Sequence, residues 1–150
     1  MDPAPPAAVS PPPRRALVGW RLLALAYDLF PAAALWFLVA TAFVVVHGDA
    51  VTGGALGLLE FAALWLVTGA YAVASWRRGG QTLGMRAWRL RVTDRDGNAA
   101  SVRALVLRYV AGTVSLLPAG AGFWWAWLDR DRLALHDRAS GTRMARLPRR

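Results

Sequence analysis

Residues 20–46 read WRLLALAYDLFPAAALWFLVATAFVVV. After Arg21 the only charge in this stretch is Asp28, and residues 29–46 run apolar without interruption. A membrane span needs about 20 predominantly apolar residues. Residues 22–46 are therefore predicted to cross, with Pro31 as a mild kink of the kind membrane helices tolerate. A second apolar run covers residues 54–76 and contains Glu60. The linker between the runs, residues 47–53, is short, so the two spans are expected to form an antiparallel helical hairpin. A cleaved signal peptide is the rival reading of the first run, because Arg14-Arg15 precede it and Ala40-Thr41-Ala42 looks like a cleavage site. Secretory apolar cores are about 7–15 residues long and would not carry Asp28, which favours the span.

The rest of the composition agrees. Only 18% of the 150 residues are charged, against about 25% in soluble domains. All 18 basic residues are arginine and oppose 9 acids, for a net charge of +9. The absence of cysteine excludes a disulfide framework, a thiol nucleophile and a thiolate metal site, and two histidines exclude a histidine-rich one. Basic charge without a recognisable binding module does not point to nucleic acid. Six prolines in residues 1–13 mark residues 1–15 as a disordered arm, leaving residues 16–150 as one membrane domain.

Arginine counting orients the chain. Arg14, Arg15 and Arg21 precede the first span, the 47–53 linker has no arginine, and Arg77, Arg78, Arg86, Arg89, Arg91, Arg95 and Arg103 follow the second span. The N-terminus is thus expected in the cytoplasm. The third apolar run, residues 104–128, is broken by Pro118-Ala119-Gly120-Ala121-Gly122 and precedes a tail rich in arginine. Its first part, with Ser101 as N-cap, offers about 14 apolar positions covering about 21 Å, short of the roughly 30 Å hydrocarbon core. A re-entrant hairpin is favoured over a third full span, because it keeps the basic tail inside. The expected architecture is an all-α membrane protein of two transmembrane helices plus this broken segment. Trp88-Arg89-Leu90-Arg91-Val92-Thr93 alternates as a strand does, and residues 142–147 alternate in part, so a small cytoplasmic β-ribbon is also expected.

Few residues carry chemistry. Arg21 and Asp28 are seven apart, on one helix face and about 10.5 Å apart along the axis. A carboxylate so placed costs about 2.5–3.5 kcal/mol on insertion scales and must face protein or a wet cavity. Asp28 is either a structural ion pair or helix–helix hydrogen bond, or an ion or proton site. Glu60 is a secondary candidate, too far from Asp28 in depth for a dyad and placed to reach the interface. His136-Asp137 lacks the further ligands a metal centre needs, and no serine has a nucleophile context. No enzymatic activity, cofactor or metal is expected. The spacing Gly53-x3-Gly57 would permit close helix packing, and the arginine clusters suit anionic membrane lipid.

Arg21-Leu22-Leu23-Ala24-Leu25-Ala26-Tyr27-Asp28, Gly80-Gln81-Thr82-Leu83-Gly84, Leu90-Arg91-Val92, and Leu135-His136-Asp137 followed by Ser140-Gly141-Thr142 occur in that order. Together they resemble the RDD family of small bacterial multi-pass membrane proteins, named for one arginine and two aspartates. The resemblance places these at Arg21, Asp28 and Asp137 and covers residues 18–147. Met85 stands where the family usually has a basic residue, and Ala87-Trp88-Arg89 replaces a Leu/Gly-rich sequence. The resemblance implies a bacterial inner-membrane protein, with transport of ions, protons or a small ligand suggested. Two functions are carried forward. One is transport or ion coupling built around Asp28, by a homo-oligomer or within a membrane partner complex. The alternative is an accessory scaffold acting through its basic cytoplasmic face. With the tail inside, Asp137 is expected to meet Arg21, directly or through Asp28.

Overall fold

The computed structural model describes residues 17–116 and 120–148. The proline-rich arm and the Pro118-Ala119 part of the predicted break lie outside these residues. Two long helices dominate, α1 (Val18–His47) and α2 (Gly54–Gly79). At 1.5 Å per residue they are about 45 and 39 Å long, longer than the roughly 30 Å hydrocarbon core, so their ends reach the headgroups. Pro31 lies inside α1 without interrupting it. α1 buries little of itself: Phe37, Phe30 and Val46 are 71%, 78% and 89% exposed. Both helices have the length and apolarity of membrane spans, and their exposed apolar side chains suit lipid tails.

A short helix α3 (Leu83–Ala87) and strand β1 (Leu90–Thr93) follow α2. The third apolar run is split, as its Pro/Gly break predicts, into α4 (Val102–Leu116) and α5 (Ala121–Leu128). Ser101 Oγ accepts the amide of Ala104 (3.2 Å) and so caps α4. Fifteen residues give α4 about 22 Å, too short to cross. α5 packs back on α4 and leads to α6 (Leu135–Ser140), which packs on α4 and ends in β2 (Arg143–Arg146).

The strands form the expected ribbon. They are antiparallel, with Leu90 opposite Arg146 and Thr93 opposite Arg143. The core sits beneath the helical hairpin at this ribbon end, where Ala24, Met85, Leu90, Val92, Ala100 and Leu105 cluster. The start of α1, the end of α2 and the returning C-terminal segment therefore share one end of the molecule. Gly53 and Gly57 do not serve the close packing their spacing permits. Gly53 is the N-cap of α2, where an added Cβ would meet nothing within 4 Å, and one on Gly57 would meet only a Val51 methyl at 3.9 Å.

Candidate functional site

Asp137 is the third residue of α6, and its Oδ2 accepts the amide of Ala134 just before that helix (3.2 Å). A carboxylate there satisfies a helix N-terminal amide and suits the dipole. The same group receives Arg21 Nη2 from α1 at 2.5 Å on Oδ2, and Arg108 Nη1 from α4 on Oδ1. Arg108 Nη1 also donates to Thr142 Oγ1 (2.7 Å), whose hydroxyl is 2.7 Å from Ser140 Oγ. Arg21, Arg108 and Asp137 are at most 3% exposed. Three elements distant in sequence thus converge on one carboxylate.

Burial alone would raise the Asp137 pKa, but Arg108 and Arg21 outweigh it and hold the carboxyl well below the usual carboxylate range. His136, with Nε2 3.7 Å from Asp137 Oδ1, is pushed down to about 3, first by burial and then by Arg108. It is neutral at pH 7, so two guanidinium charges face one carboxylate in this cluster. Arg21 Nε and Nη1 are buried and have no hydrogen-bond partner among the described residues.

Asp28 stands two turns along α1 and does not touch this cluster. Its Oδ1 accepts Tyr71 Oη from α2 (2.9 Å) and the amide of Gly84 (2.8 Å), while Oδ2 accepts Thr82 Oγ1 (2.5 Å). Every residue of Gly80-Gln81-Thr82-Leu83-Gly84 has a part in this docking. Gly80 closes α2 at φ 72°, its amide bonded to Trp76 O and its carbonyl accepting Val92 N at 2.7 Å. Gln81 Nε2 donates to Leu90 O (2.7 Å), which fixes β1. Thr82 caps α3 through Met85 N (3.3 Å), and Leu83 N donates to Tyr71 Oη (3.1 Å). Gly84 lies flat on α1, and a Cβ there would fall 2.1 Å from Ala24 O. Met85, where the family resemblance would place a cation, is buried and accepts Trp76 Nε1 on its sulfur (3.3 Å).

Between α1, α2 and α4 lies a cavity of about 570 Å³. Arg21, Arg108 and His136 form its polar end and Asp28 part of its wall; Leu25, Leu29, Phe61, Leu64 and Leu116 make the rest largely apolar. Trp36 Nε1 donates to Thr68 Oγ1 (2.8 Å), tying α1 to α2, and Tyr109 Oη donates to Trp65 O (2.8 Å), tying α4 to α2. α1 and α4 each pack on α2 but approach each other only sparsely.

The structure brings Arg21 and Asp137 into direct contact, with Asp28 playing no part in the pair. Glu60 lies at the linker end of α2, half-buried and away from the cavity wall. Sequence reasoning missed Arg108, absorbed into a run taken as apolar, although a lone cation inside such a run is itself a site signal. Tyr71 and Thr82 carried no comparable signal. A family model described as the RDD family matches residues 15–141. No curated protein and no solved structure matches the chain.

Proposed function

The chain belongs to the RDD family, and on that premise we propose that this membrane protein is a non-enzymatic transport component that takes up a small ligand between α1, α2 and α4. The cavity of about 570 Å³, with aromatic and aliphatic walls and buried charge at one end, carries this reading. Ligand sites are concave, mostly apolar and equipped with a few convergent polar groups, and intramembrane ionisable groups mark substrate paths. Asp28 takes part by holding α3 against α1 as cavity wall, since both of its oxygens are engaged by neutral donors. The arginine distribution supports an inner-membrane protein with both termini in the cytoplasm, its basic flanks against anionic lipid. Two long helices cannot enclose a pathway alone, so a homo-oligomer or a membrane partner complex is part of the proposal.

A second reading, an accessory scaffold, rests on Arg89, Arg91, Arg103 and Arg146, all exposed near the ribbon. Native mass spectrometry of the full chain released from lipid nanodiscs separates the two. The transport reading expects a bound small molecule of defined mass that the cavity-filling variant Gly112→Phe loses. An empty wild-type cavity, together with a partner complex lost on deleting residues 143–150, favours the scaffold.

A further inference from the structure

We propose that the ligand is a single-chain amphiphile with an anionic head, its head on Arg21 and its chain between α1, α2 and α4. This inference rests on the cavity being a ligand site. The head is assigned by Arg21, which is 3% exposed, borders the cavity and spends only Nη2 on Asp137. Its Nε and Nη1 have no acceptor among the described residues. A buried donor left without an acceptor is unfavourable, and more so on a charged group. The charge around it has the matching sign, since Arg21 and Arg108 share one carboxylate. Asp28 stands about 10.5 Å along α1 from such a head, and its oxygens face Tyr71, Thr82 and Gly84. Arg21 Nε and Nη1 are both covered in this structure, so a carboxylate or a phosphate supplies the missing acceptors by drawing the guanidinium into the cavity.

The chain is assigned by the walls and the volume. Leu25, Leu29, Ala32, Phe61, Leu64 and Leu116 offer no polar side-chain atom. A cavity of about 570 Å³ has room for an acyl chain with its head. The sparse contact between α1 and α4 leaves the open side between apolar helices. An amphiphile dissolved in the bilayer enters sideways there, without crossing water. Gly112 supplies a clean probe of this space, because it lies on the cavity wall and an added Cβ meets nothing within 4 Å.

Trp36, Trp65 and Trp76 line the cavity, so bromine on a bound chain quenches their fluorescence. The full chain in phosphatidylcholine nanodiscs is titrated with dibrominated stearate, the matching dibrominated stearyl alcohol, a one-chain phosphate with the same tail, and a dibrominated two-chain phosphatidylglycerol. Saturable quenching by the two one-chain anions, beyond the linear bilayer background, is expected. The tighter of the two separates a free acid from a lysophospholipid source. The alcohol and the two-chain lipid are expected to give background only. Gly112→Phe should abolish the saturable part while folding normally, and Arg21→Gln should weaken it roughly tenfold or more, as expected for a hydrogen bond to a charged group. Equal quenching by the alcohol overturns the anionic head, and saturable quenching by the two-chain lipid overturns the single chain. Both leave the cavity as a ligand site. Unchanged quenching in Gly112→Phe overturns the location, and no saturable quenching by either one-chain anion overturns the inference, whereas the absence of any co-purifying mass instead removes the transport reading beneath it.

Discussion

Asp137 and Asp28 both tie a distant segment to α1, the first through two buried guanidinium groups and the second through three neutral donors. Asp137 is fully buried and holds α6, and with it the C-terminal segment, against Arg21 and Arg108. Asp28 is half-buried and holds α3 through Tyr71, Thr82 and the Gly84 amide. The ionic hub turns on its one carboxylate, because removing Asp137 strands two guanidinium charges in a low-dielectric interior. The neutral dock is graded, because each donor can be lost singly, and it relies as much on the flat contact of Gly84 as on charge. One region fixes the return of the chain; the other shapes the cavity wall.

The largest expected effect tests the hub. Asp137→Ala leaves Arg21 and Arg108 facing each other without a counter-charge and should cost about 3–5 kcal/mol, read as a fall in the thermal midpoint in mild detergent. A loss of only about 1–2 kcal/mol would place Asp137 on the same footing as Asp28.

Acidification sharpens the same contrast. The folded protein holds His136 neutral down to about pH 3, while an unfolded chain protonates it from 6.5 downward. Across that window the unfolded state binds the extra proton, so stability falls as the pH drops, by up to about 1.4 kcal/mol per pH unit. Asp137, whose folded pKa lies below its ordinary 3.8, adds to the loss only under that value. Unfolding midpoints measured from pH 7 to 4 should slope in the wild type and flatten in His136→Gln.

Gly84→Ala probes the dock by shape. Its Cβ must displace either the α1 backbone at Ala24 or α3 itself, an overpacking worth about 1–3 kcal/mol. Occupancy of the cavity by the proposed ligand should fall with it, since α3 forms part of the wall. Asp28→Asn is milder, at about 1–2 kcal/mol, because an amide oxygen in the Oδ1 place still accepts Tyr71 and Gly84 while its NH₂ faces the Thr82 hydroxyl. If Asp28→Asn proves as damaging as Asp137→Ala, the neutral dock is in fact a charge site and the ion-coupling reading of Asp28 gains.

Legibility in the sequence followed periodicity and charge. The two long helices were readable because 20 or more apolar residues have few other folds open to them. The split of the third run was readable from Pro118 and its glycines, and the ribbon from the alternation at residues 88–93. Arg21 and Asp137 were joined by a family resemblance and by a basic tail kept on one face, not by any local pattern. Arg108 escaped because a single guanidinium hardly alters the hydropathy of its run. The dock of Asp28 escaped because its partners lie 43 to 56 residues away and two are hydroxyls, which hydropathy does not weight. Helices α3 and α6, of 5 and 6 residues, are too short to show a period and owe their form to Thr82 and Asp137. The cavity left no trace in the sequence, since it arises from α1 and α4 packing on α2 but not on each other.

The claim that Arg21 and Asp137 act as one buried unit is tested most directly by a double-mutant cycle on thermal unfolding in detergent. Arg21→Ala and Asp137→Ala should each destabilise, and the double variant should be less damaged than their sum by about 1–3 kcal/mol, because it strands fewer charges. Additivity within about 0.5 kcal/mol would show the two residues to be independent and would contradict the account.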